Sequence, residues 1–218
     1  GTMRRIIVFS LCLGGAVALS GCEKMSEADV ERAVSDMGGV NAIDDAQLND
    51  VMIQSADPEE AVAYFARTHQ EFPDRVDIQR GLAKSLVRAK RPAEGARIWT
   101  KVVDGPEATP GDSVALADAL IRAGNWTGAK DVLNQIPPTF ETYDRYRLEA
   151  MVADADKNWT KADSFYETAV GLTTRPARTY NNWGFSKLSR GDFNGAEKLF
   201  LDALTYDPDM FTAKNNLM

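Results

Sequence analysis

The chain has 218 residues, 44% hydrophobic and 26% charged, and a formal net charge of −7. That length and mix fit one extended solenoid or one or two globular domains, with no low-complexity tract. Arg4 and Arg5 are the only charges before residue 22, so the remainder carries −9; this argues against nucleic-acid binding, which needs a basic face to displace counterions.

The first segment reads as an address. Gly1-Thr2 precedes Met3 and reads as an expression scar. Arg4-Arg5, an apolar run from Ile6 to Leu19, and Ser20-Gly21-Cys22 follow. This is the order of a positive n-region, an h-region and a small-residue cleavage site. The run is short for a bilayer span, which takes about 20 residues, so a signal peptide over 1–21 is favoured over a membrane anchor. Leu19-Ser20-Gly21-Cys22 resembles the lipobox of bacterial lipoprotein signal peptides. The resemblance implies cleavage before Cys22, lipidation of that residue, and anchoring by several acyl chains. Glu23 stands where Asp would resemble the inner-membrane retention signal, so the outer membrane is expected. The only other cysteine is Cys12, so no disulfide framework and no Cys-based zinc site is available. Residues 22–41 are polar, are interrupted by Gly38-Gly39, and read as a tether.

From Ala42 onward the chain repeats. Phe193, Ala196, Phe200 and Ala203 have counterparts 34 residues earlier at Trp159, Ala162, Tyr166 and Ala169. A further 33 back stand Trp126, Ala129, Leu133 and Ile136, and another 33 back Ala93, Ala96, Thr100 and Val103. A last step of 35 gives Pro58, Ala61, Phe65 and Thr68. The second position is alanine every time. Ala61, Phe65 and Thr68 fall at i, i+4 and i+7, one face of a helix, and so do Ala196, Phe200 and Ala203. Turn residues recur too: Gly124-Asn125, Lys157-Asn158 and Gly191-Asp192 each precede an aromatic. Thr100 stands where an aromatic is usual, and Pro137-Pro138 ends the third repeat early. The spacing predicts about ten helices between Ala42 and Tyr206 and no strand.

The segment from Ala177 to Pro208 carries the fullest version of the pattern. Tyr180, Trp183 and Gly184 are followed by Ala196, Phe200 and Pro208. This resembles the tetratricopeptide repeat, W-x2-L-G-x2-Y, then A-x3-F, then P, in about 34 residues. Lys187 departs from it at the second aromatic position. The resemblance implies an all-α fold, a right-handed α-α superhelix of about five helix-turn-helix repeats over 42–218. Phe211 to Met218 resembles the opening of a sixth repeat, so the natural chain is expected to continue; a natural short cap is the alternative.

No catalytic constellation is present. His69 is the only histidine and sits near a predicted helix end, where the dipole accounts for it. Asp154 and Asp156, at i and i+2, do not share a helix face and read as solvated. Trp99, Trp126, Trp159 and Trp183 read as core. No zinc spacing, EF-hand loop or phosphate-cradling glycine loop occurs, so neither metal nor cofactor is expected.

In tetratricopeptide-repeat proteins the first helix of each repeat lines a concave groove. The resemblance therefore implies groove positions at Asp118, Arg147, Met151 and Asp154, and further along at Asn181, Asn182, Phe185, Asn215 and Asn216. Asn182 and Asn216 are 34 apart. An asparagine there can bond the backbone of a bound peptide, or it can be an idle feature of the repeat. The full Lys/Arg set of a carboxylate clamp is missing. A lipobox, a tether and about five repeats in a small acidic protein resembles the TadD family of lipoproteins from the Tad (Flp) pilus assembly system. That implies a non-enzymatic scaffold at the periplasmic face of the outer membrane, assembling or localising the secretin. Other envelope assembly lipoproteins, such as pilotins or barrel-assembly accessories, and adaptors of peptidoglycan enzymes share this architecture.

Overall fold

The computed structural model describes residues 47–218. The segments expected to be a signal peptide (1–21) and a tether (22–41), Cys22 among them, and residues 42–46 lie outside the described residues. The chain divides into two units, the second beginning at Ser55. Of the first unit, residues 47–54 form a helix, α1.

The second unit holds ten helices. They are α2 (Pro58–Glu71), α3 (Val76–Arg88), α4 (Pro92–Val103), α5 (Pro110–Arg122) and α6 (Trp126–Asn134), followed by α7 (Tyr143–Ala155), α8 (Trp159–Gly171), α9 (Ala177–Ser189), α10 (Phe193–Tyr206) and α11 (Phe211–Asn216). No strand occurs among the described residues. Four antiparallel hairpins, α3/α4, α5/α6, α7/α8 and α9/α10, stack between α2 and α11.

Each of the four hairpins turns by the same device. Lys90, Gly124, Lys157 and Gly191 have φ of 60°, 79°, 57° and 84°, the left-handed region. The next residue's N–H then returns to a carbonyl five residues back. Arg91 donates to Leu86, Asn125 to Leu120, Asn158 to Ala153 and Asp192 to Lys187, at 2.8–2.9 Å. This closes the leading helix with a Schellman-type end. In three of the four turns that same residue caps the second helix. Asn125 Oδ1 accepts from the Gly128 N–H, Asn158 Oδ1 from Lys161 and Asp192 Oδ1 from Gly195. Proline enters at the start of α2, α4 and α5, where its missing N–H costs nothing.

The recurring alanines are the inner seam. Ala61, Ala96, Ala129, Ala162 and Ala196 are all buried. The third position of the pattern is buried as well, by Phe65, Leu133, Tyr166 and Phe200. Thr100 is the exception: it is exposed, its hydroxyl bonds the Ala96 carbonyl, and Trp99, one residue earlier, fills the core in its place. The first position is not core. Trp126 is 38% exposed and Phe193 67%, which corrects the expectation for Trp126. Gly184 faces Phe200 so closely that a Cβ there would lie 2.7 Å from the ring. Lys187 holds its place by pairing with Asp163 and Asp192.

Two departures from regularity matter for the packing. α6 is cut to nine residues, and Arg145 of α7 replaces its missing turn. Its guanidinium donates to the carbonyls of Pro137 (2.7 Å) and Phe140 (3.0 Å); the Pro137 carbonyl also accepts from the Phe140 N–H, so Arg145 braces the turn that follows the Pro137-Pro138 break. Arg80 of α3 forms a two-point pair with Asp112 of α5 at 2.8 Å, joining successive leading helices.

Candidate binding groove

The leading helices α7, α9 and α11 lie side by side and line a groove of about 720 Å³. α7 contributes Met151, Asp154 and Ala155. α9 adds Asn181, Asn182 and Phe185, and α11 adds Phe211, Asn215 and Asn216. The lining positions of α9 fall one repeat before those of α11, because the two helices occupy equivalent places in the stack.

Seven of the nine residues placed on the groove by sequence therefore meet in one cavity. Asp118 and Arg147 do not line it. Arg147 pairs with Asp118 (3.6 Å) and with Asp144 (3.5 Å), and its other contact is the Met151 sulfur. Their charges are used between helices α5 and α7, beside the groove.

Sequence reasoning missed the second-helix contribution. Trp126, Trp159 and Tyr166 also line the cavity. The signal was present, since an aromatic recurs at the start of α6, α8 and α10. An aromatic in a repeat pattern is normally read as core, and here the position faces outward. Trp183 keeps an interior role, stacked on Tyr166 with ring centroids 5.9 Å apart.

The polar groups are few and mostly satisfied from within. Asp154 accepts from the Tyr166 phenol and the Ser186 hydroxyl, each at 2.6 Å. Reading Asp154 as a solvated surface carboxylate is thus corrected; the i+2 residue, Asp156, pairs with Lys130 instead. Burial, together with the bond to Asp154, pushes the Tyr166 phenol far up, so it stays a proton donor. Asn216 donates from Nδ2 to Asn181 Oδ1 at 3.2 Å, tying α11 to α9.

Behind the groove, Asp163 binds α8 to α9. It accepts from Trp183 Nε1 (2.7 Å), Lys187 Nζ (3.1 Å) and the Arg190 guanidinium. Burial alone would raise this carboxyl, but the bonds from Arg190, Trp183 and Lys187 hold it below the ordinary value. Arg190 also lies over the Trp159 ring, 5.4 Å from its centroid, which fixes that indole at the groove wall.

Asp154 and Tyr166 are the only ionisable side chains of the lining. Such a surface suits recognition by apolar contact and amide hydrogen bonds. No group of three His, Cys, Asp or Glu residues able to hold a metal ion occurs among the described residues.

Comparison with known proteins agrees with this architecture. Residues 53–113 match the family model described as Tetratricopeptide repeat. No curated protein sequence matches. Among solved structures, the chain is similar to TTC0263, a thermophilic TPR protein of Thermus thermophilus. The TM-score is 0.65 at 16% identity, over 78% of this chain and 94% of that one. It is also similar to YrrB, described as a TPR protein with an unusual peptide-binding site, with a TM-score of 0.59 at 13% identity, over 78% and 88% of the two chains. MamA from Desulfovibrio magneticus gives 0.62 at 16% identity, over 76% and 94%. At these identities the likeness establishes the fold, and that fold is the tetratricopeptide-repeat solenoid.

Proposed function

We propose that the protein is a non-enzymatic scaffold that holds a segment of a partner protein in the groove between α7, α9 and α11. The observation that carries this reading is the convergence of exposed aromatics with two asparagine pairs, Asn181-Asn182 and Asn215-Asn216, on one face. Buried aromatic anchors supply most of the energy of such contacts, and amides fix the backbone of the bound segment. YrrB, similar in fold, is described as carrying a peptide-binding site. Both an extended strand and a helix laid in the groove fit this chemistry.

The cellular setting follows from the first residues of the mature chain. With Cys22 lipidated and Glu23 after it, the scaffold is held at the periplasmic face of the outer membrane. The resemblance to the TadD lipoproteins makes the partner a component of Tad (Flp) pilus assembly, the secretin or a protein that brings it to the membrane. The test is a lipidation-competent pull-down from the native host. Wild type is expected to recover secretin in the membrane fraction, and Cys22→Ala is expected to move the protein to the soluble fraction and lower secretin abundance. A deletion strain with normal secretin and surface pili would overturn the pilus assignment.

A further inference from the structure

Asp154 is a carboxylate without a cation. Both of its oxygens accept from neutral hydroxyls, those of Tyr166 and Ser186. It forms no ion pair among the described residues, whereas the nearby cations are each committed elsewhere. Lys130 pairs with Asp156, Arg147 with Asp118 and Asp144, and Lys187 and Arg190 with Asp163. Neutral hydroxyl donors solvate a carboxylate but do not cancel its charge. The groove therefore carries one fixed negative charge, with no basic residue in its lining to offset it.

The walls around that charge are aromatic. Trp126, Trp159 and Phe185 line the same cavity. One of these rings already receives a cation from behind, the Arg190 guanidinium over Trp159. Trp126 stands 38% exposed and Phe185 58%, leaving ring surface for an incoming group. Aromatic faces attract a cation, and a carboxylate in a partly desolvated cleft attracts it more strongly than one on an open surface.

Building on the groove reading above, we infer that the bound segment presents a lysine or arginine side chain, flanked by apolar residues, to Asp154 between these aromatic walls. The groove would reject a segment with an acidic residue at that point, because the two carboxylates would repel and no basic side chain in the lining offsets them. This is opposite in sign to a site that captures a terminal carboxylate through basic residues.

The test uses the full chain and three acetylated, amidated nine-residue peptides of leucine and serine that differ only in the central residue: lysine, norleucine or glutamate. Binding is read by the change in tryptophan fluorescence, to which Trp126 and Trp159 report. The lysine peptide is expected to bind about tenfold tighter than the glutamate peptide, the worth of one charge-assisted contact. Asp154→Asn is expected to bring the lysine peptide to the affinity of the norleucine peptide measured on the same variant. Asp156→Asn removes the same charge two residues away and outside the groove, and is expected to keep the preference. Equal affinities for lysine and glutamate peptides, or a preference that survives Asp154→Asn, would overturn the inference. If Phe185→Ala weakens all three peptides while charge makes no difference, the groove reading stands and the cation inference falls. If no peptide binds and Phe185→Ala leaves partner recovery from membranes intact, both fall.

Discussion

Gly184 shows how a single missing atom sets the distance between helices. A methyl group there would meet the buried Phe200 ring at 2.7 Å, and one at Gly81 would meet the Phe65 ring at 2.3 Å. Neither ring can retreat without disturbing its hairpin. Gly184→Ala is expected to lower stability by about 1–3 kcal/mol, read as a lower urea midpoint at unchanged slope. Lys157 poses the opposite case. It holds φ 57° at the place where Gly124 and Gly191 stand in the neighbouring turns. A side chain in the left-handed region costs about 1–2 kcal/mol, so Lys157→Gly is expected to raise stability by about 1 kcal/mol, net of added freedom in the unfolded chain. The spacing exposed the turn at Lys157-Asn158 but neither its left-handed conformation nor the equivalent turn at Lys90, because lysine gives no sign of a left-handed backbone. It also marked Thr100 as a gap without showing that Trp99, a residue earlier, closes it.

At the scale of the helix, the junction between α6 and α7 depends on one guanidinium. Arg145 is buried and donates to carbonyls of the Pro137 loop. Arg145→Leu removes the side-chain donor from both carbonyls, leaving Pro137 only its bond from the Phe140 N–H, and takes from Glu149 its ion pair, and is expected to cost about 3 kcal/mol. Glu149 behaves differently. Burial pushes its carboxyl above the ordinary 4.5, and the attraction of Arg145 and Lys161 does not fully offset this. The folded state therefore favours the protonated form. Ionised Glu149 subtracts stability at neutral pH, and the loss disappears as pH falls through the folded value to below 4.5. Glu149→Gln is expected to raise the urea midpoint at pH 7 and to leave it unchanged at about pH 3.5, given one titrating site. The helices themselves were legible from their alanine spacing and their capping residues. The role of Arg145 was not, since nothing local to α7 announces that a broken helix upstream will need donors.

At the scale of the whole stack, successive hairpins are tied by carboxylates, α3 to α5 through Asp112 and α8 to α9 through Asp163. Burial would raise Asp112, but Arg80 and the Thr109 bonds hold it below the ordinary 3.8, and Asp163 is held low beside Arg190. A depressed carboxyl adds stability that is complete above its unfolded value and is lost as pH falls through the folded one. Acid unfolding is therefore expected below about pH 4, and Asp112→Asn is expected to flatten that limb of the stability curve. The solenoid was readable because a fixed repeat of small residues admits few other packings. The groove was readable on the leading helices, which share one register, and unreadable on the second helices. Whether Trp126 turns to the core or to the cavity depends on how hairpins tilt against one another, which residue spacing does not encode.

The central claim is that this face, and not the opposite one, receives the partner. A photoreactive benzoylphenylalanine placed at Phe185, 58% exposed in the groove, is compared in living cells with the same group at Leu201, 51% exposed on α10 and outside the groove lining. The account predicts one discrete cross-linked partner band from position 185 and none from position 201. A band from 201 with none from 185 would contradict it.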